Sequence, residues 1–143
     1  MRRLLTIALA LAILTALAGP ANAQPKHPER DLFCRYGSLD NGRWTEREVH
    51  AEIRCALTHW NAGTFTHAHA IAERESGDYW GAHNPSGASG IYQNLASLWP
   101  GRVAAFNASH PRWHAAPSVW NARSSVIVSI WLASMTNWGP WGG

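Results

Sequence analysis

No Asp or Glu follows Asp78 anywhere in this chain, so all nine acids lie in its first part. Chemistry that needs a carboxylate has few places to find one. Cysteine is almost as scarce: there are only Cys34 and Cys55, with no Cys cluster and no H-E-x-x-H pattern to build a zinc site. His67 and His69 are two residues apart, and His50 and His59 nine apart. On helices both spacings point the rings away from each other. No metal and no cofactor is therefore expected. Apart from residues 4–17 there is no long apolar run that opens the chain, and that one is too short for a good membrane span.

What is present begins with Arg2-Arg3, then that apolar run, then Ala21-Asn22-Ala23 as an A-x-A cleavage site. Residues 1–23 thus read as a secretory signal peptide, and the expected location is extracellular or wall-associated. No membrane span is expected once the signal is removed. Residues 24–143 suit one compact domain, expected as a monomer, with 24–44 as a loose leader. Two of the twelve basic residues fall in the signal, which leaves a nearly neutral chain and no argument for nucleic acid. The acid-free part still holds Arg102, Arg112 and Arg123, a mild attraction for an anionic polymer. An even cysteine count in an exported chain points to a Cys34–Cys55 disulfide. Closing that loop stabilises by roughly 3 kcal/mol on the chain-entropy estimate.

The periodicity predicts a mainly helical domain. Thr45-Glu46-Arg47-Glu48 has capping-box spacing, and Val49, Ile53, Leu57 and Trp60 recur at helical intervals. This gives a helix over about 45–60, ended by Asn61-Ala62-Gly63. Thr66 is read as the cap of a second helix running to about 75 and stopped by Gly77. The Gly- and Ser-rich stretch 81–90 demands turns, with a short extended segment at 89–93. A third helix is expected over about 95–106 with Pro100 near its first turn or at a break. Asn121 caps a fourth through about 135. That helix is apolar nearly all round, which argues for burial. Nine tryptophans are many for this length. Core packing is the default for each, although Trp also offers a rigid apolar face for sugars.

Glu75 is the candidate acid. It stands at a predicted helix C-terminus, where the macrodipole disfavours an anion, and Tyr79 and Trp80 are close enough in sequence to desolvate it. Both effects favour the protonated form that a general acid needs. A solvated Glu at a fraying helix end is the plainer alternative. Glu73 lies about 200° around the helix from Glu75, so the two cannot share one cleft. A glycosidase of the two-carboxylate kind would need Asp78, read here as a turn residue, or Asp40, Glu46, Glu48 or Glu52. No spacing recommends any of them.

Ala72-Glu73-Arg74-Glu75-Ser76-Gly77, followed by Asn84-Pro85-Ser86-Gly87-Ala88-Ser89-Gly90-Ile91-Tyr92-Gln93, resembles the lysozyme-like lytic transglycosylases, in particular the small secreted domains of actinobacterial type. Leu98-Trp99-Pro100-Gly101-Arg102 and Trp138-Gly139-Pro140-Trp141 extend the resemblance over about 66–143. The Asn-bearing Ala-Tyr-Asn motif of the family's main branch is missing. The resemblance implies a mainly α, lysozyme-like domain with a cleft and one catalytic Glu, a role that falls on Glu75. It also implies substrate contacts for Ser76, Tyr92, Gln93 and Trp138. The implied substrate is peptidoglycan, cut between N-acetylmuramic acid and N-acetylglucosamine with a 1,6-anhydro product. A hydrolytic muramidase on the same fold and a non-catalytic peptidoglycan-binding module are the alternatives.

Overall fold

A computed structural model describes residues 43–143. The stretches expected to be a signal peptide (1–23) and most of a loose leader (24–44), together with Cys34, lie outside the described residues. Cys55 is disulfide-bonded.

Four helices and a two-stranded hairpin make up the described chain. Helix α1 (Glu46–His59) opens with the complete capping box: Thr45 accepts from the Glu48 amide while the Glu48 side chain accepts from the Thr45 amide at 2.7 Å. Helix α2 (Phe65–Ser76) starts earlier than the sequence reading placed it. Thr64, in extended conformation, accepts from the His67 amide and takes the cap that was assigned to Thr66. The consequence is that Phe65 joins the helix, where its ring stacks on His69 with centroids 5.4 Å apart. Gly77 ends α2 in the left-handed conformation with φ 61°, as the stop signal required.

The segment expected to be extended at 89–93 is instead mostly the turn of a hairpin. Strand β1 (Ala88–Ser89) pairs antiparallel with β2 (Asn94–Leu95), and residues 90–93 reverse the chain between them. Gly90 (φ 76°) and Gln93 (φ 45°) supply the positive dihedrals of that reversal. Because β2 occupies Asn94 and Leu95, helix α3 (Trp99–Ser109) begins four residues later than expected, with Pro100 in its first turn.

Asn121 caps helix α4 (Ala122–Thr136) by accepting from the Ser124 amide. Ten of its fifteen residues are buried, so it forms the centre of the domain, packed chiefly against α1. Its serines are not strays on an apolar helix. Ser129 Oγ accepts from Asn94 Nδ2 at 2.9 Å, and Ser124 Oγ accepts from the Ala116 amide at 2.8 Å. They anchor the hairpin and the loop before α4 to the core. A 3₁₀ turn, Gly139–Trp141, follows α4, and the chain end folds back over the hairpin. No helix among the described residues is long and apolar enough to cross a membrane.

Candidate functional site

The cleft of interest has a volume of about 320 Å³ and is lined by Glu75, Gln93, Leu95, Arg102, Pro140, Trp141 and Gly142. Its parts come from the last turn of α2, the hairpin, the first turn of α3 and the chain end. Each is tied to the others by hydrogen bonds. Ser76 Oγ donates to the Ile91 carbonyl at 2.7 Å and so fixes the end of α2 to the hairpin turn. Trp141 Nε1 donates to the Tyr92 carbonyl at 2.7 Å and fixes the chain end to the same turn. Gln93 Nε2 donates to the Ala82 and Gly90 carbonyls, both at 3.1 Å, and braces the turn internally.

Glu75 sits on this frame with its side chain about a quarter exposed. Its Oε1 accepts from Arg74 Nε at 3.2 Å and Nη2 at 3.0 Å. The same Arg74 Nη2 donates to the Trp141 carbonyl at 2.7 Å, so the guanidinium stays anchored whether or not Glu75 carries a charge. Across the cleft, Arg102 Nη1 donates to Asn94 Oδ1, and burial lowers the Arg102 pKa. Arg102 gives one wall a positive character. Tyr79 and Trp80, expected to cover Glu75, do not line the cleft. Tyr79 is exposed, and the two rings lie against each other with centroids 5.5 Å apart.

Of the residues expected to touch substrate, only Gln93 shares the cleft with Glu75. Three need correction. Tyr92 is fully buried; its hydroxyl donates to the Ala68 carbonyl at 3.1 Å, and its ring lies 5.7 Å from that of Trp138. Burial among apolar groups, with Asp78 adding a negative charge nearby, raises its pKa. Trp138 is 2% exposed and donates Nε1–H to the Ala62 carbonyl at 2.7 Å, so it is a core side chain. Ser76 spends its hydroxyl on the backbone of Ala72 and Ile91. These three build the cleft from behind. In their place stand Leu95, Arg102, Pro140, Trp141 and Gly142. Arg102, Pro140 and Trp141 belong to the motifs quoted for the resemblance, whereas Leu95 and Gly142 belong to none.

The carboxylates also sort themselves out. Glu73 is exposed, as the helix angle required. Asp78 lies in the turn after α2, as expected, but it is buried, with a left-handed backbone at φ 56°. Glu52 is fully buried on α1, with Oε1 4.0 Å from Arg123 Nε. Burial raises its pKa well above 4.5, against the opposing pull of Arg123. Glu46 and Glu48 stand at the exposed start of α1, and Asp40 lies outside the described residues. Among the described residues, Glu75 is the single carboxylate that lines the cleft.

Compared with known proteins, the chain matches no family model, no curated protein and no solved structure.

Proposed function

We propose that this chain is a peptidoglycan lytic transglycosylase with a lysozyme-like helical fold, and that Glu75 is its only acid–base residue. The observation that carries the reading is one carboxylate at the end of a helix, in a cleft that no second carboxylate among the described residues lines. A two-carboxylate hydrolysis needs the second group within reach of the scissile bond. A one-carboxylate reaction needs a substrate that supplies its own nucleophile. The cleft volume lies at the lower end of ordinary small-ligand sites, about 300–1,000 Å³, which suits a sugar ring with the strand continuing beyond it. Trp141 and Pro140 offer apolar surface, and Arg102 suits an anionic polymer.

In this mechanism Glu75 binds substrate in its protonated form. A neutral carboxyl gives Arg74 no charge to hold, so the Arg74–Glu75 pair opens while Arg74 keeps the Trp141 carbonyl. Glu75 donates its proton to the glycosidic oxygen of the muramic acid–glucosamine link, and the C1–O bond breaks. The substrate's 2-acetamido group stabilises the positive centre. The Glu75 carboxylate then removes the proton of the muramic 6-hydroxyl, whose oxygen bonds to C1 and closes the 1,6-anhydro ring. The proton is back on Glu75 and no water is consumed.

The test is digestion of purified peptidoglycan followed by mass spectrometry of the fragments. Anhydro ends, each one water lighter than reducing ends, are expected from the wild type. Glu75→Gln is expected to lower the rate by about 10²–10⁴-fold with an unchanged circular dichroism spectrum. Full activity in that variant removes Glu75 from the mechanism. Reducing ends point to the hydrolytic reading, and binding without release to a non-catalytic module.

A further inference from the structure

We infer that His50, His69 and Asp78 form a binding site for one divalent transition-metal ion of the imidazole-preferring class, with Zn²⁺ as its natural probe. The three residues come from three places: His50 from α1, His69 from α2, and Asp78 from the turn just after α2. Their ligand atoms converge on one point. His50 Nε2 and His69 Nε2 are 2.8 Å apart, and Asp78 Oδ2 is 2.9 Å from the first and 2.8 Å from the second. The atoms therefore form a nearly equilateral triangle.

Hydrogen bonds alone cannot satisfy that triangle. Each ring nitrogen carries at most one proton, and that proton points in one direction. If both nitrogens donate to Asp78, two N–H groups face each other at the third edge. If one donates to the other imidazole, a nitrogen lone pair is turned on the carboxylate instead. A cation resolves the conflict, because all three atoms then direct lone pairs at it. An ion at about 2.0–2.2 Å from each atom, the usual zinc distance to nitrogen and oxygen, stands roughly 1.3 Å above the plane of the triangle. Opening the edges by about half an ångström gives tetrahedral angles.

A second observation points the same way. Asp78 Oδ1 is buried and has no hydrogen-bond partner among the described residues. A carboxylate with only 4% of its side chain exposed and one oxygen without a hydrogen-bond partner among the described residues is costly to bury unless something compensates it. A dication does so. The left-handed backbone at Asp78 is the conformation that turns this carboxylate toward α1 and α2. The outer side of the site is open: the His50 and His69 side chains are 20% and 25% exposed. Glu46 Oε1, 3.7 Å from His50 Nε2 on a well-exposed side chain, is placed to compete with water for the fourth position. Two imidazoles and a carboxylate favour zinc, cobalt or nickel over magnesium or calcium, which prefer all-oxygen sites. Bound metal would clip α1 to both ends of the segment that carries Glu75, without belonging to the cleft.

The experiment uses the purified chain, stripped with EDTA and dialysed into chelator-free buffer. Isothermal titration with Zn²⁺ is expected to give one equivalent per chain with micromolar or tighter affinity, no saturable binding of Mg²⁺, and a Tm that climbs with free zinc. Co²⁺ is expected to produce visible d–d bands whose intensity marks coordination by protein ligands. His50→Gln and His69→Gln are each expected to weaken zinc binding at least about tenfold, whereas His67→Gln, two residues away, leaves it unchanged. Substoichiometric zinc together with a Co²⁺ spectrum like that of the aqueous ion overturns the inference, and so does equal affinity in the His50 and His69 variants. The cobalt spectrum is read on the wild type, so a misfolded variant does not rescue or sink the idea.

Discussion

Changing Trp138 to Phe separates a core tryptophan from a sugar-stacking one. Trp138 is 2% exposed, and its indole N–H reaches the Ala62 carbonyl, itself in a buried residue, at 2.7 Å. Phe keeps one ring in place but removes the donor, leaving that carbonyl without its partner at a cost of about 1–3 kcal/mol. The missing part of the indole adds a cavity, so the loss moves toward the upper end of that range. Trp138→Ala also forfeits the remaining ring and costs about 3–5 kcal/mol. Small domains hold only about 5–15 kcal/mol in total, which makes the Phe variant the usable one. At about 4–8 °C per kcal/mol for a domain of this size, Tm should fall by roughly 10 °C or more, with a matching drop in the urea midpoint read by far-ultraviolet circular dichroism. Peptidoglycan binding per folded molecule should be unchanged below the transition. An unaltered midpoint combined with lost binding would refute the reasoning, since it would put the ring at the substrate and outside the core.

The buried Glu52 makes a pH prediction whose sign follows from its raised folded-state pKa. Below 4.5 the group is protonated both folded and unfolded and contributes nothing. As pH rises above that value the unfolded chain ionises first, so this group subtracts stability at up to about 1.4 kcal/mol per pH unit. Glu52→Gln, a near-isostere of the protonated form, should match the wild type near pH 4 and gain on it toward neutrality in urea titrations; a wild type that gains on the variant instead means attraction to Arg123 outweighs desolvation. Gly90→Ala should destabilise by roughly 3 kcal/mol or more, because φ is 76° and a Cβ would stand 2.5 Å from the Val119 carbonyl oxygen. Gly87→Ala, with φ 85° but open space around it, should cost only about 1–2 kcal/mol. Equal thermal shifts for the two would remove the close approach from the explanation.

The local signals were legible because they act over three or four residues. Thr45 and Glu48 make their reciprocal bonds within one helical turn, Gly77 accepts the left-handed stop, and Asn121 caps α4. The near-uniform apolarity of α4 told of burial because no face was left for water. Choices between equivalent local signals were less visible: Thr64 and Thr66 both qualify as caps, and the chain takes the first. The start of α3 depended on a strand pairing with residues seven and five positions back, which no helical periodicity contains.

By itself the sequence determined a mainly helical chain, the helix that carries Glu75 in its last turn and its glycine stop, and the scarcity of acids. Tertiary structure decided which side chains face that cleft. Tyr92 and Trp138 turn inward because the chain end packs over the hairpin and buries both rings, while Arg102 and Trp141 come to the cleft from elements far apart in sequence. It also decided the meeting of His50, His69 and Asp78. Spacing within one helix shows only which side chains diverge along it, and two diverging sets become neighbours only when one helix packs on another.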